Sequence, residues 1–278
     1  MKRFASLFAA AGAVAAISAF AFAGGASGAG SLPTLNIALN GKTGITVSPG
    51  SIPSGAVNVV ATHTGAGASN ASFALVRLNP GVTPQQAFQA VGSHHGDENA
   101  LTPYGAIVVS ANAPGAVQTV LTPGSNWFAL NTTSMGKPGI VQFTVTSSSS
   151  PTALPAAAAT EKAIEFGFNG PNVLHDGTTV RAVNGGFLVH MNDLIGVKSK
   201  AAGQKLVTLL RAGAPMKKLR PFFTKSFVSL MDPASPGALQ QQVLNTKPGF
   251  YVQACFMNTQ DGREHTQLGM ERLVQVKK

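Results

Sequence analysis

The sequence predicts an all-β fold: two tandem Greek-key β-sandwich domains with short helical insertions. Three observations lead there. Short runs rich in β-branched and aromatic residues recur at close spacing, Gly, Pro, Ser and Asn stand between them, and the second half repeats the order of the first. The chain has 278 residues, 44% of them hydrophobic and only 11% charged. That is enough apolar chain to bury two cores, and disorder throughout is excluded.

The opening residues, MKRFASLFAAAGAVAAISAFAFAGG, join a basic start at Lys2 and Arg3 to an apolar run and to small residues at Ala21 and Ala23. This is the pattern of a secretory signal peptide over 1–23, with Ala29 as a second cleavage point. The competing reading is an uncleaved membrane anchor, against which the run's Ala-rich composition argues. No later segment is apolar enough to cross a membrane, and the expected location is secreted, periplasmic or cell envelope.

Residues 33–146 form the first predicted domain, with strands at LNIALN, VNVVAT, FALVRL, AIVVS, VQTVL, NWFAL and VQFTV. Residues 147–160, rich in Ser, Pro and Ala without periodicity or charge, read as a linker. Residues 161–278 form the second, with strands at AIEFGF, TTVRAV, GFLVH, QQQVL, FYVQACF and RLVQV. The helix-like TPQQAFQAV follows FALVRLNPG, and AAGQKLVTLLRAG follows FLVHMNDLIG. GAVQTVLTPGSNWFALNTT then matches GALQQQVLNTKPGFYVQACF. This ordered self-similarity predicts an internal duplication.

Cys255 is the one cysteine, so no internal disulfide can form. In an exported protein it must be buried and inert, free and reactive, joined to another chain, or bound to a metal. Charge is uneven as well. Residues 161–278 carry 15 basic against 8 acidic side chains, and Lys198, Lys200, Lys205, Arg211, Lys217, Lys218, Arg220 and Lys225 form a run without an acid among them. Such a surface suits an acidic or redox protein partner, or a solvated face with no dedicated partner. Nucleic acid is not expected, because no stacking aromatics interleave the run.

The stretch ACFMNTQDGREHTQLGM places Cys255, His265 and Met270 close together, and VNGGFLVH puts His190 at the end of a predicted strand. With the PGFYVQAC strand entered through Pro-Gly and the closing HTQLGMERLVQV, this resembles the cupredoxin family, the plastocyanin and azurin type of β-sandwich. The resemblance covers both halves as architecture, and only the second carries the ligand motif. It implies His190, Cys255, His265 and Met270 as ligands of one copper ion, with the methionine as weak axial thioether. It implies electron transfer or copper handling, and no enzyme activity. The rival reading is a metal-free cupredoxin-fold envelope or extracellular module with a basic contact surface.

In the first half, aligning the Pro-Gly entries sets Leu130 against Cys255, and aligning the Phe-led strands sets Val76 against His190. That half therefore reads as a degenerate copy. The second half departs from the family in its spacing, for nine residues separate Cys255 from His265 and include Asp261-Gly262, a tight-turn signal. A regular hairpin about that turn would hold the thiol and the imidazole roughly 10 Å apart. A copper site requires the hairpin to be irregular. Strand alternation puts Cys255 away from the more apolar face and predicts a half-exposed thiol.

GSHHGDENA gathers His94, His95, Asp97 and Glu98 in one polar loop, read as solvated. No nucleophile elbow, HExxH motif or phosphate-cradling loop is present. A thiol nucleophile built from Cys255 and a histidine has no further support in the sequence.

Overall fold

The computed structural model describes residues 31–66, 71–134 and 138–278, so the predicted signal peptide lies outside the described residues. Through the first half run β1 (Thr34–Asn40), β2 (Gly44–Ser48), β3 (Ser51–Pro53), β4 (Gly55–Thr64), β5 (Ser72–Leu78), helix α1 (Pro84–Ser93), β6 (Gly105–Asn112), β7 (Gly115–Leu121), β8 (Gly124–Asn131) and β9 (Gly139–Thr146). Then come β10 (Ala159–Ile164), β11 (Gly167–Asn169), β12 (Val173–His175), β13 (Thr179–Asn184), β14 (His190–Val197), α2 (Lys200–Arg211), α3 (Met216–Leu219), β15 (Phe223–Ala234), β16 (Leu239–Val243), β17 (Gly249–Ala254) and β18 (Glu271–Lys277). The fold is all-β, with sheets packed around two buried cores and short helices.

The strand pairings of the two halves correspond one for one. β1 pairs antiparallel with β2 and parallel with β4, as β10 does with β11 and β13. The sheet β3-β9-β8-β5-β6 has its counterpart in β12-β18-β17-β14-β15. The remaining strands merge into one eight-stranded sheet, β11-β10-β13-β16-β7-β4-β1-β2, which joins the halves at Gln241 and Gln118. The amide Nε2 of Gln241 donates to Gln118 Oε1 at 3.0 Å, and Thr119 Oγ1 donates to Leu239 O at 2.8 Å. The Ser- and Pro-rich segment between the halves is tied to both: Thr152 O accepts from Ala56 N at 2.8 Å, and Pro155 O accepts from Gln241 and Arg181.

Each half encloses a core between its two sheets, one around Leu35, Phe73, Trp127 and Phe143, the other around Leu174, Tyr251, Cys255 and Met270. Helices α1 and α2 sit where the sequence placed them. Thr83 caps α1 through a reciprocal box with Gln86, and Ser199 caps α2 by accepting from Ala202 N. Helix α2 turns Leu206 and Leu210 onto the outer face of β14 and β17, against Ile195, Val252 and Phe256. Strand β17 is thus covered on both faces, and this corrects the expected exposure of Cys255, which is 0% accessible.

Candidate metal centre

The ligand-bearing strand is not the one read from sequence. GFLVH was expected to be a strand ending in histidine, yet β14 begins at His190. Ahead of it the backbone N–H groups bond side chains instead of a neighbouring strand. Phe187 N and Leu188 N donate to Glu165 Oε1 at 2.6 and 2.9 Å, and Val189 N donates to Asn99 Oδ1 at 2.7 Å. A chain whose amide hydrogens are taken by side chains cannot extend a ladder.

Irregularity also resolves the hairpin. Strand β17 stops at Ala254, and Thr259 to Arg263 closes on itself through Thr259 N to Arg263 O at 2.9 Å and Gly262 N to Thr259 O at 2.8 Å. The returning strand does not continue. Glu264 and Gln267 form a capping box that starts a 3-10 turn over His265–Leu268, and Gly269, at φ 103°, ends it in the left-handed region. His265 N donates to Met257 O at 2.8 Å and Met270 N to His265 O at 3.0 Å, so the turn swings the imidazole back over Cys255.

Three donor atoms meet there. His190 Nδ1 lies 3.1 Å from His265 Nδ1 and 3.8 Å from Cys255 Sγ, and Sγ lies 3.3 Å from His265 Nδ1. A point equidistant from all three is about 2 Å from each, an ordinary metal–imidazole bond length. All three residues are 0% exposed. Among the described residues this is the one cluster of three His, Cys, Asp or Glu side chains able to hold a metal ion. Met270, also 0% exposed, packs in the same core as Cys255 and accepts the Cys255 N–H at 3.2 Å through its carbonyl. The donor set, one cysteine sulfur and two imidazoles, with Met270 in the same core, fits a single copper site.

The surroundings prepare these atoms. His190 Nε2 is 3.0 Å from Glu165 Oε1; with the carboxylate ionised, that nitrogen carries the proton and Nδ1 presents its lone pair to the cluster. Burial alone would raise the Glu165 pKa, but the N–H groups of Leu188 and Phe187, with His190, hold it below the usual carboxylate value. Burial lowers the His190 pKa against the opposing pull of Glu165. His265 falls to about 4, first through burial and then through the charge of His190. The Cys255 thiol is pushed up to about 12 by burial, against N–H bonds from Met191 and Met257. Met191 N donates to Sγ at 3.3 Å, and Phe166 sets its ring edge-on to His265 with centroids 5.0 Å apart.

Glu165 and Asn99 were missed in the sequence. A lone acid inside the apolar run AIEFGF was a signal for the first; the second sits in the loop read as solvated, where composition offers none. The cross-half alignments also need correction. Trp127 and Tyr251 are buried aromatics opposite Phe143 and Val274, and they pair with Arg77 and Gly196. That register sets Asn131, not Leu130, against Cys255, and Ala71, not Val76, against His190. Asn131 is 0% exposed, and its amide nitrogen donates to Gly41 O and Gly44 O.

No protein-family model and no curated protein sequence matches the chain. Among solved structures, a reduced auracyanin from Roseiflexus castenholzii is 18% identical, covering 44% of this chain and all of its own, with a TM-score of 0.27. Auracyanin A, a "blue" copper protein from Chloroflexus aurantiacus, is 16% identical over 42% of this chain and 96% of its own, at 0.25. A copper-containing nitrite reductase from Thermus scotoductus is 11% identical over 90% of this chain and 69% of its own, at 0.24. Likeness this slight adds no weight, and the site stands on its own geometry.

Proposed function

We propose that this is an exported protein of two cupredoxin-like domains, over residues 33–146 and 161–278, the second binding one copper ion for electron transfer. His190, Cys255 and His265 would hold the ion, and Met270 would supply a weaker thioether. The carrying observation is the triangle of two Nδ1 atoms and one Sγ, all within 4.8 Å of one another. Bound copper would supply a one-electron couple. The chain's residues do the rest: Glu165 orients His190, Met191 N–H bonds the sulfur, and the buried walls exclude water. Complete burial of all three ligand residues favours electron transfer over copper delivery, which needs an open site. The first domain, with Asn131 at the cysteine's place, is read as a degenerate copy, and cleavage after Ala23 is expected to remove the signal.

The basic run supports an acidic redox partner. Lys198, Lys200, Lys205, Lys217, Lys218, Arg220 and Lys225 are all exposed around α2 and α3, on the outer side of the sheet that carries Cys255. The deciding experiment adds cupric ion to purified, reduced protein. Intense visible absorption from thiolate-to-copper charge transfer, lost in Cys255→Ser, is expected. A colourless sample, indistinguishable from Cys255→Ser, would leave the metal-free module as the better reading.

A further inference from the structure

Every donor atom of the cluster belongs to the C-terminal half, yet the strand that presents His190 is fastened from the other half. Val189 and His190 are both 0% exposed. The Val189 N–H has no strand neighbour, since β14 starts one residue later. Left without an acceptor in that environment, it would be a buried unpaired donor, which folded proteins avoid. Its acceptor is Asn99 Oδ1 at 2.7 Å, from a residue 90 positions earlier in the chain.

Asn99 is itself built to face that way. Asp97 Oδ1 accepts from both Asn99 N and Asn99 Nδ2, each at 2.9 Å. With its amide nitrogen engaged, the side chain turns its oxygen outward toward Val189. The 3-10 turn Glu98–Leu101 that carries it is anchored by Leu101, buried beside Val76, Ile107 and Ala87 under α1. The mount is continuous with the junction of the halves, where Ile107 N donates to Ser235 Oγ and Ser235 N to Ile107 O, both at 2.9 Å. Asp97 also lies near enough to act electrostatically on His265.

We propose that Asn99 is a positioning residue of the metal centre: by fixing the Val189 N–H it sets the backbone that aims His190 Nδ1, so the N-terminal half completes a site whose ligands all lie elsewhere. The proposal rests on the copper reading above. It gives the half without a ligand set a structural task at the site. Glu165 holds Phe187 N and Leu188 N from within the C-terminal half, and Asn99 holds the next N–H from outside it, so His190 leaves a segment clamped on both sides.

The test uses the full chain as wild type, Asn99→Ala and Thr102→Ala, the last an exposed position on the same loop. In the metal-free proteins, amide exchange at Val189 is followed by NMR. In copper-loaded proteins, the charge-transfer band and the rate of copper loss to a chelator are followed. Val189 is expected to be protected in wild type and Thr102→Ala. In Asn99→Ala its exchange is expected to rise about 2- to 13-fold, the loss of one net hydrogen bond. The same variant should show a shifted band and release copper about 10- to 100-fold faster, as when an orienting group is removed from a ligand. An unprotected Val189 amide in the wild type overturns the proposal even if Asn99→Ala fails to fold. So does an Asn99→Ala protein that matches a copper-loaded wild type in band and release. A wild type that takes up no copper overturns the copper reading instead, and the exchange data then report on the Asn99 contact alone.

Discussion

Asp193 on β14 pairs in register with Ser229 on β15, whose Oγ donates to Asp232 Oδ1 at 2.8 Å, and the two carboxyls lie close enough to interact electrostatically. Burial pushes Asp232 up to about 6, and it raises Asp193 well above the ordinary value, helped by the charge of Asp232. A carboxyl whose folded pKa exceeds its unfolded one binds its proton more tightly when folded. Its stabilising contribution is therefore full below about pH 4 and is lost as pH rises through about 6. Asp232→Asn keeps an acceptor for Ser229 and removes the charge. It is expected to stabilise the metal-free protein by on the order of 2 kcal/mol at pH 7.5, and the gain should vanish near pH 4. Urea titrations of both proteins at the two pH values check this, and an equal difference at both would show that the carboxylate is not strained by burial. Cys255 meets the same force of burial, with a smaller push from the charge of Asp193. Its raised pKa leaves a neutral thiol in the core, which explains how a lone cysteine can persist unreacted.

Among the elements, those legible in the sequence were the ones made by local pattern. Val-rich runs gave β4, β7 and β18, and the helix-like TPQQAFQAV gave α1. The strand β15, FTKSFVSLMDPA, was missed because its polar residues and Pro233 break the alternation. Its pairing with β14 is itself interrupted by register shifts. All four candidate ligands were legible by residue type and order, and three of them are now seen to converge at their donor atoms. What could not be read was the way Cys255 and His265 come together. That depends on a 3-10 turn whose signature, Glu264 and Gln267 followed by Gly269, was present but overshadowed by the stronger Asp-Gly turn signal. Gly269, at φ 103°, lies where a side chain is strained. Gly269→Ala is expected to cost about 1–2 kcal/mol of stability in the metal-free protein. It should also weaken copper binding, because the same backbone aims His265. Chemical unfolding and copper competition measure the two effects, and a variant that loses neither would show that the turn does not place the ligand.

At the scale of the whole molecule, the halves are not beads on a tether. The eight-stranded sheet runs through both, closed at its middle by the buried pair Gln118 and Gln241 and flanked by the Ile107–Ser235 exchange. Separating the halves would expose the edges of β7 and β16 together with these buried amides, each of which loses its partner at a cost of about 1–3 kcal/mol. Opening the same junction would also withdraw Asn99 from Val189. The molecule is therefore expected to unfold as one cooperative unit despite its doubled plan. Two reporters make this measurable, because the one tryptophan, Trp127, is buried in the N-terminal core and the proposed copper chromophore lies in the C-terminal one. Increasing denaturant should change Trp127 fluorescence and bleach the thiolate band at the same midpoint and with the same slope. Metal-free protein followed by Trp127 fluorescence and by far-ultraviolet dichroism should show coincident curves at a lower midpoint, since a ligand bound only by the native state stabilises every element that unfolds with it. A tryptophan transition unmoved by copper would mean that the N-terminal half melts alone, and that the shared sheet does not couple it to the metal centre.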